Sequence, residues 1–458
     1  MKNMLRQLCH FEWHDQRATF KLALPIMLAQ LVYALGPFVN TFFAAKLGHQ
    51  ALAAAALVSV VFFTLASLGW GGLSSVGILS AHHYGARKYE NIAQVFQQGL
   101  VAAIVISIPT TWLMYDAPQI MLWLGQNPAL VKLATPYYHA LAWAMPTMYL
   151  GVVPIETLVG LGKTKIIFIY SLIETPLNIL IKYALVFGKW GAPKLGLAGI
   201  GWGIAIICWV FLFMYLFYTM WELRSIALWQ WRKQDWNHLM EIFHVGWPMG
   251  LTYLIEVGFF GFMVVTMGHF SNQALAGYQI AVQFMGFVAS LVFGIGQATT
   301  SRAGRALGAQ DKPLAHQASM SGIQVGCWLS CIIALAFILF PNWIIGIDIN
   351  PHLHENLSVV YYAKCFLIFA AIFLLLDSTR TILTCILRAY KDTRFAMYSS
   401  LIGFWLIGSL CALLLAYIFK LGPYGLILGN SVGLISATLI LLLRYFKKHY
   451  HAQIITDN

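Results

Sequence analysis

The amino-acid sequence predicts an all-α polytopic membrane protein with about twelve transmembrane helices, and three observations carry that prediction. Of its 458 residues, 60% are hydrophobic and only 10% are charged, whereas soluble domains run at about 45–50% apolar and about 25% charged. The mean hydropathy is +0.73. Apolar runs of about 20 residues recur along the whole chain, each long enough to cross a hydrocarbon layer of roughly 30 Å as a helix. The basic residues gather between these runs, with a strong bias to alternate connections. A transmembrane barrel would instead show alternation in short segments of about ten residues.

In order, the spans are predicted at 18–43, 52–79, 93–114, 136–159, 166–187, 196–221, 243–267, 275–299, 318–340, 357–380, 395–418 and 423–444. Glu12 and Asp15 precede the first run and no small-residue cleavage site is evident, so the first span is expected to be retained. With the N-terminus placed in the cytoplasm, the cytoplasmic segments carry 20 Lys and Arg and the opposite side 5. That asymmetry predicts cytoplasmic termini and an even number of spans. The formal charge of +12 is therefore largely topological. No clustered basic face with readout chemistry accompanies it, so no nucleic-acid partner is expected. The seven cysteines lack metal-ligand spacing and read as small apolar residues.

The chain also repeats itself. At an offset of 223 residues Pro25 falls on Pro248, Gln50-Ala51-Leu52-Ala53 on Gln273-Ala274-Leu275-Ala276, Gly71 on Gly294, Gly85-Ala86 on Gly308-Ala309, and Asn127-Pro128 on Asn350-Pro351. The repeat divides the chain into an N-terminal six-helix bundle, 1–221, and a C-terminal six-helix bundle, 243–458. Six spans per half give parallel repeats, which meet about an axis along the membrane normal. Between the bundles, 222–242 holds Trp229, Trp231, Arg232, Lys233 and Trp236. Interleaved aromatic and basic residues suit an amphipathic linker on the cytoplasmic surface.

Acids within the spans are the candidate chemistry. A carboxylate at the bilayer centre costs about 2.5–3.5 kcal/mol on insertion scales, so it faces a cavity, finds a partner or stays protonated. Glu256 lies near the middle of the seventh span, beside Val257, Gly258, Phe259 and Phe260, with no evident cation. Asp377, near the cytoplasmic end of the tenth span, is three residues before Arg380, which puts the two on one helix face. It is followed by Ser378, Thr379, Thr381 and Thr384, whose hydroxyls either serve a passing cation or bond their own backbone. Glu174 sits in Ile173-Glu174-Thr175-Pro176-Leu177-Asn178, where Pro176 removes a backbone donor and leaves oxygens near Glu174 and Asn178 as a cation or proton locus. Glu156 reads as interfacial, and Lys182 as a side chain that snorkels to the membrane surface. Pro25 and Pro37, with Gly36 and then Asn40, mark a first span able to bend. His82 and His83 read as a solvent-facing loop pair.

These residues resemble the multidrug and toxic compound extrusion (MATE) family, in its NorM-like bacterial branch. The features that match are Leu24-Pro25, Gly48 with Gln50-Ala51-Leu52-Ala53, Gly85-Ala86, Pro176-Leu177-Asn178, Gly188 to Gly199, Glu256, and Leu387-Arg388-Ala389-Tyr390-Lys391-Asp392-Thr393. The resemblance implies two six-helix bundles arranged as a V, exporting cationic lipophilic small molecules in exchange for Na+ or H+. It implies a cation-binding region, with Na+ as one candidate occupant, at the positions of Glu256 and Asp377. Two departures stand out. Asn40 takes the place of a frequent family Asp and has no carboxyl to carry a proton. Glu174 stands where many relatives have Asn.

The expected function is therefore a secondary active antiporter in a bacterial inner membrane, acting by alternating access as a monomer in the lipid bilayer. No enzymatic activity and no cofactor beyond the coupling Na+ or H+ are expected. No nucleotide-binding loop, zinc hydrolase pattern or dinucleotide fingerprint is present in the sequence. The competing readings are a flippase for a lipid-linked precursor and a membrane-embedded enzyme or scaffold.

Overall fold

A computed structural model describes residues 13–225, 236–351, 353 and 356–454. Of the expected amphipathic linker, 222–242, residues 226–235 with Trp229, Trp231, Arg232 and Lys233 lie outside the described residues. Its described flanks are helical.

The first half contains α1 (Trp13–Lys46), α2 (His49–Leu73), α3 (Ser75–Gly85), α4 (Tyr89–Tyr115), α5 (Ala117–Trp123), α6 (Pro128–Ala142), α7 (Ala144–Gly160), α8 (Lys165–Phe187) and α9 (Leu197–Ser225). The second contains α10 (Asn237–Gly268), α11 (Asn272–Gly308), α12 (Lys312–Leu339), α13 (Pro341–Ile345) and α14 (Leu357–Ala389). It ends with α15 (Thr393–Ile418) and α16 (Gly422–Ile454). Among the described residues, 11 helices are long and apolar enough to cross a membrane, α2 and α3 counting as one. The remaining predicted span, 136–159, is built from α6 and α7, which join through Trp143 at helical angles (φ −71, ψ −19). All-α polytopic architecture with about twelve spans is thus the fold. The tenth span is longer than predicted. Because α14 runs to Ala389, Asp377 lies well inside it.

Two compact units divide the chain. One comprises Met1–Met27 and Thr252–Asn458, and the other Leu28–Leu251. In the latter, α9 packs against α6, α7 and α8, and α7 against α3 and α4. In the former, α14 packs against α11, α12 and α16. Lipid offers no hydrophobic drive between helices, so close backbone approach at small residues supplies the contact energy. Gly429 on α16 lies so close to Ala412 on α15 that an added Cβ would overlap its backbone.

The internal repeat appears in the backbone as matching helix ends. α3 and α11 each finish with a non-glycine residue in the left-handed region, Arg87 (φ 56) and Gln310 (φ 61), 223 positions apart. The amide of the next residue closes each end, Lys88 N to His83 O at 2.9 Å and Asp311 N to Ala306 O at 2.9 Å. α7 and α14 end the same way through Gly162 (φ 73) and Lys391 (φ 57), with Lys163 N to Leu158 O at 2.8 Å and Asp392 N to Leu387 O at 2.9 Å. This is the Schellman closure, which satisfies carbonyls the helix leaves open.

Side chains then secure both of the latter turns. Lys163 Nζ lies 2.9 Å from Glu222 Oε1. Asp392 Oδ2 lies 2.9 Å from Arg444 Nε and 3.2 Å from Lys448 Nζ. The polarity is reversed between the halves: a cation follows α7 and an anion follows α14. The Glu222 hydrogen bond holds the Lys163 ammonium above its ordinary pKa, so Lys163 keeps its charge at neutral pH and gives it up only as pH rises through the raised value.

Candidate functional site

Each compact unit holds a cluster of polar residues built around acids that the sequence singles out within its spans. In the unit containing α14, the centre is Arg380, with a side chain only 6% exposed. Its Nη1 donates to Glu256 Oε1 at 2.7 Å, and its Nε donates to Asp377 Oδ1 at 3.0 Å. Nη2 is also 3.0 Å from the same Asp377 oxygen. Ser400 Oγ donates to Glu256 Oε1 at 3.4 Å, and the guanidinium stands 5.0 Å from the Phe404 ring centroid. Two carboxylates share one guanidinium, so the cluster carries a formal charge of one negative unit.

The geometry follows from helix periodicity and a local change of pitch. Asp377 and Arg380 are neighbours on one face of α14 at i,i+3. Ser400 and Phe404 come from α15, which is π-helical over Leu401–Gly408 and Leu414–Ile418. Such wide turns recur at functional sites. Here the first begins directly after Ser400. Of the hydroxyls that follow Asp377, Ser378 and Thr379 both donate to Leu375 O, at 3.0 and 2.7 Å. They are spent on their own backbone. Thr381 Oγ1 accepts from Arg380 Nη2 at 3.4 Å.

The other unit holds Glu174, Asn178 and Lys182 on α8, spaced by four and therefore on one stripe. Tyr33 OH donates to Glu174 Oε2 at 2.9 Å and lies 3.3 Å from Tyr215 OH. The Tyr215 ring packs edge-on against Tyr170, 4.8 Å between centroids, and Tyr170 in turn touches Phe211 and Tyr218. Asn178 Oδ1 is buried with no hydrogen-bond partner among the described residues. Lys182, 2% exposed, donates to Asn40 Oδ1 at 2.7 Å. The helices run unbroken through Pro25, Pro37 and Pro176. As Pro lacks an N–H, Pro37 and Pro176 leave the carbonyls of Tyr33 and Leu172 without their usual helical donor.

Several of these placements differ from the sequence reading. Glu256 does have a cation, supplied by Arg380 from another helix. Lys182 does not snorkel: its ammonium is buried against Asn40. Glu156, near the end of α7, is 3% exposed and accepts from Ser74 Oγ at 3.1 Å. Tyr33 and Tyr215 were not anticipated at all. A tyrosine in an apolar span carries no periodic or motif signal that sets it apart from packing aromatics.

The MatE family model matches residues 25–184 and 248–414, the greater part of the chain. This chain belongs to the MatE family. A probable multidrug resistance protein NorM of Synechococcus sp. is 31% identical to it, covering 93% of each chain. The multidrug resistance protein NorM of Photobacterium profundum is 27% identical over 94% of this chain and 95% of its own. Among solved structures, an outward-facing MATE family transporter of the MOP superfamily superposes with a TM-score of 0.88 at 17% identity, covering 95% of this chain and 96% of its own. A eukaryotic MATE transporter gives 0.83 at 19%, covering 96% and 98%. These likenesses establish the fold. The MatE member described here is a multi-pass protein of the lipid bilayer and, by family, a secondary transporter of small molecules.

Proposed function

We propose that this chain is a NorM-like antiporter that exports cationic, lipophilic small molecules from the cytoplasm in exchange for H+ by alternating access, with Glu174 as the proton carrier. The observation that carries this reading is the contrast between the two clusters. Glu256 and Asp377 already share the Arg380 guanidinium, so an incoming cation must compete with Arg380. Glu174 is held by a neutral phenol, and its carboxyl can gain or lose a proton without breaking an ion pair with an arginine. The neighbouring half-buried aromatics Tyr170 and Tyr218 offer ring faces to a lipophilic cation. Protonation of Glu174 and cation binding beside it would then exclude each other, which is the coupling an antiporter needs.

A second reading, Na+ coupling, is favoured by one observation. The unpartnered Asn178 Oδ1 sits one turn from Glu174, and a carboxylate with a neutral amide oxygen suits a hard cation. The charge asymmetry of the connections supports cytoplasmic termini, and the names of the bacterial relatives support an inner-membrane exporter. A monomer is taken as the working unit.

The test is efflux of a fluorescent lipophilic cation from proteoliposomes with pH and Na+ gradients imposed separately. Stimulation by the pH gradient alone, lost in Glu174→Gln, upholds the proton reading. Stimulation by Na+ alone overturns it in favour of the second. Transport under neither gradient removes the antiport reading.

A further inference from the structure

Away from both clusters, the last turn of α3 meets the first turn of α10. Within this unit the two helices are fastened antiparallel by several contacts. Ser75 Oγ donates to Ile242 O at 3.1 Å, and Ile78 packs with Val245 and Met249. Gly246 lies so close to Gly72 that an added Cβ would overlap the Gly72 carbonyl oxygen. That register brings His83, near the end of α3, level with His238, near the start of α10. The two imidazoles are 5.3 Å apart between centroids and perpendicular, at 88°. Glu241 follows His238 at i,i+3, and its Oε2 lies 3.8 Å from His238 Nδ1. One donor atom from each of the three residues lies within 4.8 Å of the others, and all three side chains are half-buried. His83 is therefore not the solvent-facing loop residue that its sequence context suggests.

We propose that His83, His238 and Glu241 form a binding site for a divalent transition-metal ion of the zinc class. Two imidazole nitrogens and one carboxylate oxygen are a donor set that Zn2+, Co2+ and Ni2+ prefer. Mg2+ and Ca2+ take oxygen ligands almost exclusively. With metal–ligand bonds of about 2.0–2.1 Å, tetrahedral donors stand about 3.4 Å apart, so the side chains must draw in by an ångström or so. Half-buried side chains at helix ends can do this by rotation about χ1 and χ2, while the Ser75–Ile242 and Gly72–Gly246 contacts hold the backbones in place. Three protein ligands leave a fourth position for water. The occupied site would tie the first turn of α10 to the end of α3.

The experiment uses the full-length, untagged protein in detergent, equilibrated with ZnCl2, CoCl2, MgCl2 or CaCl2, desalted, and assayed for bound metal. The expected result is one equivalent of Zn2+ or Co2+, with the visible absorption of low-symmetry Co2+, and no retained Mg2+ or Ca2+. His83→Ala and His238→Ala should each weaken Zn2+ binding at least tenfold, and Glu241→Gln should weaken it less. His238→Phe keeps the ring contact while removing the ligand, so it decides the matter if an alanine variant fails to fold. Undiminished Zn2+ binding in His238→Phe and Glu241→Gln, or failure of the wild-type protein to retain Zn2+, would overturn the assignment.

Discussion

Arg380 Nη1 lies 2.7 Å from Glu256 Oε1 across 124 residues of sequence, while the same guanidinium holds Asp377 at 3.0 Å. Both carboxylates depend on it. Removing one partner of a buried ion pair typically costs about 3–5 kcal/mol, because the remaining charge is left uncompensated. With Glu256 and Asp377 about a fifth exposed, Arg380→Ala is expected near the lower end of that range. Arg380→Lys keeps the charge but cannot span both acids with a planar fork, so it should fall between wild type and Arg380→Ala. Thermal unfolding of the three purified proteins in one detergent checks the order, and equal midpoints would show the cluster to be structurally idle.

Glu174→Gln preserves shape and hydrogen-bonding capacity but fixes the charge at zero. It should abolish pH-driven efflux while leaving the unfolding midpoint close to wild type. Tyr33→Phe, which removes only the phenol donor, should retain efflux and shift its pH dependence. The comparison requires efflux assays from proteoliposomes over a series of external pH values. Full pH-driven activity in Glu174→Gln would place the proton carrier elsewhere.

Asn40 and Lys182 give a third expectation. In Asn40→Leu the buried ammonium loses its acceptor, a change that costs about 1–3 kcal/mol for an unsatisfied buried group and more for a charged one. Asn40→Asp restores an acceptor and adds a charge partner, so it should be at least as stable as wild type. Denaturation of the two variants side by side reads the difference. A stable Asn40→Leu would mean that Lys182 finds another acceptor.

The contact of Gly429 with Ala412 gives a purely steric expectation. A side chain at 429 must push α16 away from the α15 backbone, and overpacking of this kind costs about 1–3 kcal/mol. Gly429→Val should lower the yield of folded protein and its unfolding midpoint. Gly36→Ala, where an added Cβ meets nothing within 4 Å, should lower neither. Fluorescence-detected size-exclusion chromatography after graded heating measures both.

Most of the spans were legible in the sequence because each is a self-contained statement: about 20 apolar residues with their backbone bonds closed internally. The break between α6 and α7 interrupts no apolar run, since Trp143 keeps helical angles, and its one mark is Pro146, which lacks the N–H that would bond the Ala142 carbonyl. The repeat was legible for a similar reason, being a comparison of the sequence with itself. The clusters were only half legible. Asp377 and Arg380 share a helix turn, so their pairing follows from spacing. Glu256 meets Arg380, and Glu174 meets Tyr33, only through packing of helices distant in sequence. Lys182 was misread because a long stem permits snorkelling but does not require it, and Asn40, 142 residues away, decides where the ammonium goes. The burial of Glu156 was not legible, because distance from a helix end says nothing about which helices cover a residue.

The reversed polarity of the turns after α7 and α14 bears on how the chain is made. Synthesis delivers the first half to the bilayer while the second is still emerging, and two halves descended from one ancestor present similar surfaces to each other. Lys163 is complementary to Glu222 and repelled by Arg444. Asp392 is complementary to Arg444 and repelled by Glu222. A span that docks in the wrong half therefore meets a like charge at the end of its partner helix. The two fasteners are keyed differently, so that each turn carries the wrong charge for the partner helix of the other half.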